Sequence, residues 1–260
     1  MNIDIHNHIL WGIDDGPTQQ EETVQMAKVA AHEGITHILA TPHHNNGKHN
    51  NPPSLVLERV ELANEMLRSE NIPLIILPGS EIHLYGNLLE DVKNHQVLTL
   101  NQSGKYVLVE LPCNHVPRFT DQVFFELAVH GYTPVIAHAE RNSEFLKDPN
   151  RLVTLVKNGA LVQVTASSIL GKSNISVSRF ARKLLKNNLV HFVASDAHNA
   201  KRRTFVLGKA YKWIQRHYGA QHVVMFKNNA TRLMKGEEIV IPPPIPFEKR
   251  KFFFLMPTKT

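Results

Sequence analysis

Asn2-Ile3-Asp4-Ile5-His6-Asn7-His8 opens the chain as a short β-prone run that ends directly in two histidines. The same figure, a brief apolar strand followed by polar ligating residues, recurs along the sequence. Runs at 2–5, 37–40, 74–77, 106–109, 133–137, 161–164 and 190–194 read as strands. Between them, amphipathic stretches predict helices at about 54–69, 120–130, 150–158, 176–187 and 204–218. Thr18-Gln19-Gln20-Glu21 reads as a capping box that opens a further helix to about Glu33, with Gly34 as its stop signal. Seven strands, each followed by a helix or long loop, predict one α/β domain with a parallel sheet. Periodicity alone does not say whether that sheet closes into a barrel.

The residues at the carboxyl ends of those strands share a chemistry. The first strand leads to His6, His8 and, in the same loop, Asp14 and Asp15; the second leads to Thr41-Pro42-His43-His44. The third runs into Pro78-Gly79-Ser80-Glu81, the fourth ends at Glu110, and the fifth at His138-Ala139-Glu140-Arg141. The last ends at Ser195-Asp196-Ala197-His198. In a parallel α/β protein these ends converge on one face, where active sites sit. Residues two apart in an extended segment point the same way, so His6 with His8, and Asp196 with His198, can share an ion. A lone His-x-His is weak, and Glu81 or Glu110 alone reads equally as a cap or an ion-pair partner. Six strand ends supplying imidazoles and carboxylates to one face make a metal site. The donors contain no thiolate, which suits manganese, iron or zinc and disfavours a structural zinc site. His6, His8, Asp15, His43, Glu81, Glu110, His138, Asp196 and His198 exceed the needs of one ion. Two or three ions are expected, with Glu81 as a candidate bridge.

Composition narrows the remaining classes. The 260 residues are 42% hydrophobic and 20% charged, an ordinary soluble mixture. A single cysteine, Cys113, forbids a disulfide framework or a multi-thiolate zinc finger. A thiol phosphatase needs His-Cys-x5-Arg, whereas Pro112 precedes Cys113 and the next arginine is Arg118, one position too near. The sequence has no run of 18 apolar residues and no signal-peptide pattern, so a cytoplasmic protein is expected. The formal charge is +6, and half of it belongs to residues 245–260, where Lys249, Arg250, Lys251 and Lys259 face Glu248. A nucleic-acid-binding surface over the whole body is therefore disfavoured. Pro242-Pro243-Pro244-Ile245-Pro246 marks the boundary between a catalytic unit at 1–240 and a tail at 241–260. That proline run is expected to leave the barrel extended. The basic, aromatic residues 247–255 read either as a membrane-surface or kinase-docking element or as a chain end folded back on the domain. Ala166-Ser167-Ser168-Ile169-Leu170-Gly171-Lys172-Ser173 imitates a phosphate-binding loop without its first glycine, and reads better as a loop beside the substrate cleft.

The strings Asp4-Ile5-His6-Asn7-His8, Asp14-Asp15-Gly16, Ala40-Thr41-Pro42-His43-His44-Asn45-Asn46-Gly47 and Val193-Ala194-Ser195-Asp196-Ala197-His198-Asn199 resemble the PHP (polymerase and histidinol phosphatase) superfamily. More closely, they resemble the bacterial capsule and exopolysaccharide protein-tyrosine phosphatases of the CpsB/YwqE type, over residues 2 to about 240. The resemblance implies a TIM-like, distorted (β/α)7 barrel and a centre of three divalent ions, usually manganese, with iron or zinc as alternatives. It implies one ion held by His6, His8, Glu81 and Asp196, a second by Glu81, Glu110 and His138, and a third by Asp15, His43 and His198. Asp15 stands where many superfamily members have histidine, which favours the tyrosine-phosphatase branch; Ala139 stands where close relatives often have proline. Arg141 and Arg203 match family arginines and suit a bidentate phosphate clamp during in-line attack by a metal-held hydroxide. The implied substrate is the phosphotyrosine tail of a membrane-associated bacterial tyrosine kinase. Histidinol phosphatase is the chief rival. An amidohydrolase also opens with His-x-His, but no lysine stands at a strand end here.

Overall fold

The computed structural model describes residues 1–248. Its strands are β1 (Ile3–Asn7), β2 (His37–Ala40), β3 (His43–His44), β4 (Ile75–Pro78), β5 (Glu81–His83), β6 (Tyr106–Glu110), β7 (Thr133–Ile136), β8 (Leu161–Thr165) and β9 (Phe192–Ala194). Every pairing between these strands is parallel, in the orders β1-β2-β4 and β3-β5-β6-β7-β8-β9. The short β3 and β5 are absent from the sequence reading. They continue the paths of β2 and β4 after interruptions at Thr41-Pro42 and Gly79-Ser80, so the described residues keep seven strand positions. Proline lacks an N–H for the ladder, which explains the break after Thr41. The ring closes where the Asp196 N–H donates to the His6 carbonyl and the His8 N–H to the Ala197 carbonyl, both at 2.8 Å. The result is a single α/β domain whose curled parallel sheet forms the expected distorted (β/α)7 barrel.

Two layers of apolar side chains hold it. Val107, Val109, Ile136, Val162 and Val193 pack outward against the helices, in one cluster. Their neighbours Tyr106, Leu108, Val135, Leu161, Phe192 and Ala194 point inward, into a second cluster with Ile3 and Ile5. This alternation is the strand period of two read on a barrel wall. The inner cluster includes Ala230 and Leu233 of the helix Ala220–Met234, which the sequence reading omits. That helix shares its cluster with residues that begin their strands (Ile3, Tyr106, Leu161, Phe192), so it plugs the amino end of the barrel. Burying Leu233 completely contributes about 2 kcal/mol.

Other differences are local. The first helix spans Gln20–His32, and Glu22, one residue later than expected, reaches back to accept from Thr18 and Gln19 N–H at 2.7 and 3.3 Å. The helix expected from 204 begins at Leu207, because Asn199 Oδ1 accepts the Lys201 and Arg202 N–H groups and holds the preceding residues in a turn. Short helices at Leu88–Lys93 and Ser143–Lys147 fall where no helix was expected, and Ala166–Ile169 is a helix within a segment read as a loop. The proline run does not leave the barrel. Ile245 N–H donates to the Asn187 carbonyl at 2.9 Å, and Phe247 N–H to Asn150 Oδ1 at 2.9 Å. The tail's cations from Lys249 onward lie outside the described residues.

Candidate metal centre

At the carboxyl end of the barrel the nine candidate ligands form one connected cluster, and Glu81 is its hub. Its Oε1 lies 3.3 Å from His6 Nε2 and 2.8 Å from His138 Nε2. Its Oε2 lies 3.4 Å from His8 Nε2 and 3.0 Å from His43 Nδ1. Asp196 Oδ1 stands 3.7 and 3.5 Å from the Nε2 atoms of His6 and His8. Glu110 approaches His43 and His138 at 3.8 Å each. Asp15 Oδ1 meets His198 Nε2 at 3.1 Å and His43 Nε2 at 3.6 Å. Three ion-sized groupings result: His6, His8 and Glu81; His43, Glu81 and Glu110; and His8, Asp15, His43 and His198. They overlap the sets implied by resemblance but differ in detail, since His43 rather than His138 shares a grouping with Glu81 and Glu110.

Local structure explains the convergence. Ile3 and Ile5 face the barrel interior, so a regular strand would turn His6 outward. The register of β1 against β2 shifts between Asp4 and Asn7, and the change of parity brings His6 and His8 inward. His138 and Asp196 both adopt left-handed backbone, with φ of 30° and 51°. Non-glycine residues are strained there, and such strain collects at functional sites. Gly16 is required by a close approach, because a Cβ would collide with the His8 carbonyl oxygen.

The donors fit a metal on a feature of the structure itself. His6 Nε2, His8 Nε2, His43 Nδ1, His198 Nε2 and Glu81 Oε2 are buried and lack any hydrogen-bond partner among the described residues. Orphaned polar atoms are rare in a protein interior, and here five converge on one space. Two further residues aim them. His8 Nδ1 donates to Asp14 at 2.6 Å, and His6 Nδ1 donates to Gln163 Oε1 at 3.0 Å. A carboxylate and an amide oxygen only accept, so both histidines turn an Nε2 lone pair towards the centre. Gln163 Oε1 also accepts the His138 N–H at 2.8 Å. Burial by itself raises the Glu81 carboxyl, but the imidazoles packed around it, His6 first and then His138 and His43, carry it well below its ordinary value. Asp196 is raised by burial and then lowered further by Arg141, His8 and His6. The centre therefore holds ionised carboxylates.

Both candidate arginines stand on its rim. Arg141 Nη2 lies 2.7 Å from Asp196 Oδ2 and donates to Thr165 Oγ1 at 3.1 Å. Arg203 approaches Asp196 at 3.3 Å and Asp15 at 3.4 Å. Glu140 is occupied elsewhere, accepting the Thr165 N–H at 3.0 Å. A cavity of about 260 Å³ opens from the cluster, walled by Glu110, Arg141 and Arg203 on its polar side and by Leu111, Ile136 and Phe145 on its apolar side. Cys113 also faces this cavity. Asp14, Gln163 and Thr165 are supporting residues that sequence reasoning did not select. The signal for Gln163 was present, as an amide inside the otherwise apolar Leu161-Val162-Gln163-Val164.

The chain is similar to known proteins over nearly its whole length. It is 43% identical to the tyrosine-protein phosphatase YwqE of Bacillus subtilis, over 96% of this chain and 98% of that protein. It is 32% identical to the tyrosine-protein phosphatase CpsB of Streptococcus agalactiae, over 91% of this chain and all of that protein. It also superposes, with a TM-score of 0.92 and 42% identity, on a chain from the crystal structures of YwqE from Bacillus subtilis and CpsB from Streptococcus pneumoniae. That match covers 95% of this chain and 100% of the other, and those proteins are described as unique metal-dependent tyrosine phosphatases. Residues 2–235 match the CpsB/CapC capsular polysaccharide synthesis family, to which this chain belongs.

Proposed function

We propose that this chain is a metal-dependent protein-tyrosine phosphatase that acts in capsule or exopolysaccharide control, on a membrane-associated bacterial tyrosine kinase and its substrates. The observation that carries the reading is the group of five orphaned donor atoms around Glu81, with two arginines on the rim beside them. Three divalent ions, manganese foremost, would be held by His6, His8, Asp15, His43, Glu81, Glu110, His138, Asp196 and His198. Bound there, such ions supply positive charge for phosphoryl oxygens and acidify water at neutral pH. Arg141 and Arg203 grip the phosphate, since a guanidinium offers paired donors that an ammonium cannot. Leu111 stands on the apolar side of this cavity, where it shields the phenyl ring from water. Asp14 and Gln163 hold the tautomers of His8 and His6. Tyrosine is a fairly good leaving group, so the chemistry does not demand a strong general acid.

No helix among the described residues is long and apolar enough to cross a membrane. The exposed free thiol of Cys113 suits a reducing compartment, which supports action in the cytoplasm. The double substitution His6→Ala/His8→Ala tests the reading. It should leave the far-ultraviolet circular dichroism intact, lower bound manganese, and reduce phosphotyrosine-peptide turnover by about a thousandfold or more. Turnover that survives in the double variant would contradict the metal mechanism.

A further inference from the structure

A second cavity, of about 300 Å³, adjoins the centre. Arg141, Asp196 and Arg203 line both cavities and so form the wall between them. Two loops complete the second one, with Ser167, Lys172 and Ser173 from the first and Lys201, Arg202 and Thr204 from the other. Among the described residues Asp196 is the one acid in this lining, and it already faces Arg141 and Arg203. Lys172, Lys201 and Arg202 are exposed and make no ion pair among the described residues. The Thr204 hydroxyl is buried and likewise lacks a partner among them. Both loops are held by their own hydrogen bonds. Lys172 N–H donates to the Ser167 carbonyl at 2.9 Å, Ser168 and Ser173 hydroxyls meet at 3.0 Å, and Asn199 accepts from Lys201 and Arg202.

Three uncompensated cations beside a phosphate clamp repel one another and are relieved by an anion. We propose that this cavity is a subsite for a second anion on the substrate peptide, a carboxylate side chain or another phosphate near the phosphotyrosine under attack. The proposal rests on the phosphatase reading and refines its substrate class to anionic phosphotyrosine peptides. It also gives a use to Gly171-Lys172-Ser173, the end of the segment that imitates a phosphate-binding loop: the lysine and serine stay on anion duty, for a peptide instead of a nucleotide.

The test uses the manganese-loaded full chain and three phosphotyrosine peptides, flanked by alanine, by glutamate, or by a second phosphotyrosine. The wild type should show about tenfold higher kcat/KM on one or both anionic peptides than on the alanine peptide, with the gain shrinking as salt rises. Whichever anionic peptide gains more identifies the anion. The triple variant Lys172→Gln/Lys201→Gln/Arg202→Gln should lose the gain yet keep its rate on p-nitrophenyl phosphate, which carries no second anion. Equal wild-type rates on all three peptides, or a variant that keeps the preference, would overturn the subsite. Failure of the wild type to hydrolyse any of the peptides would instead overturn the phosphatase reading beneath it.

Discussion

Gln163 shows how a single residue can organise the centre without touching substrate. Its amide oxygen accepts from both His6 Nδ1 and the His138 N–H, tying β1 and the turn after β7 to β8. Gln163→Leu keeps the volume and removes the acceptor, so His6 loses its fixed tautomer. Manganese affinity should fall about 10–100-fold, and Gln163→Glu, which restores an acceptor, should recover part of it. Metal titration of the two purified variants by calorimetry checks this; unchanged affinity in Gln163→Leu would deny the amide its positioning role. The nine candidate ligands could be named because their chemistry is written in residue type and in position at strand ends. Asp14 could not, and the lone amide of Gln163 in an apolar run announced no role, because their value lies in contacts with histidines 6 and 157 residues away that only the fold reveals. The left-handed backbone of His138 and Asp196 is equally silent in sequence, since neither residue type requires it.

At the scale of elements, strands that carry several apolar residues declared themselves, and the shortest ones did not. β3 has two residues and β5 three, too few for any period, yet they hold His43 and Glu81 in register beside each other. The helix Ala220–Met234 escaped notice for another reason. Only Gly219, at φ 94°, separates it from Leu207–Tyr218, and its buried stripe of Phe226, Ala230 and Leu233 is narrow. Its place at the amino end of the barrel separates stability from chemistry. Leu233→Ala should destabilise the fold by about 2–5 kcal/mol through the cavity it leaves. Turnover well below the melting temperature should stay within about twofold of wild type, since the site lies at the opposite end. Urea denaturation and kinetics on the same sample decide the matter; a stability loss below about 0.5 kcal/mol would mean that the helix is not a plug.

For the molecule as a whole, the repeating strand-then-helix pattern announced a parallel α/β domain. Ring closure was hidden, because it depends on bonds between His6 and Asp196 and between His8 and Ala197, about 190 residues apart in the sequence. Global stability should carry a pH signature from His191. Burial pushes this imidazole down from 6.5 to about 3, and its Nδ1 accepts the Val162 N–H. The folded chain keeps it neutral while the unfolded chain takes up a proton, so this contribution is present above pH 6.5 and is lost as the pH falls towards 3. Between pH 7 and 5 the wild type should lose about 2 kcal/mol more than His191→Gln, measured by urea unfolding. Equal losses would mean that His191 is protonated in the folded state. What the centre hydrolyses distinguishes the tyrosine phosphatase from its chief rival. The metal-stripped protein, restored with manganese, should be assayed side by side on a phosphotyrosine peptide and on histidinol phosphate. The prediction is no turnover without metal and, with it, a kcat/KM at least about 100-fold higher for the peptide. Preference for histidinol phosphate, or undiminished turnover in the stripped protein, would contradict it.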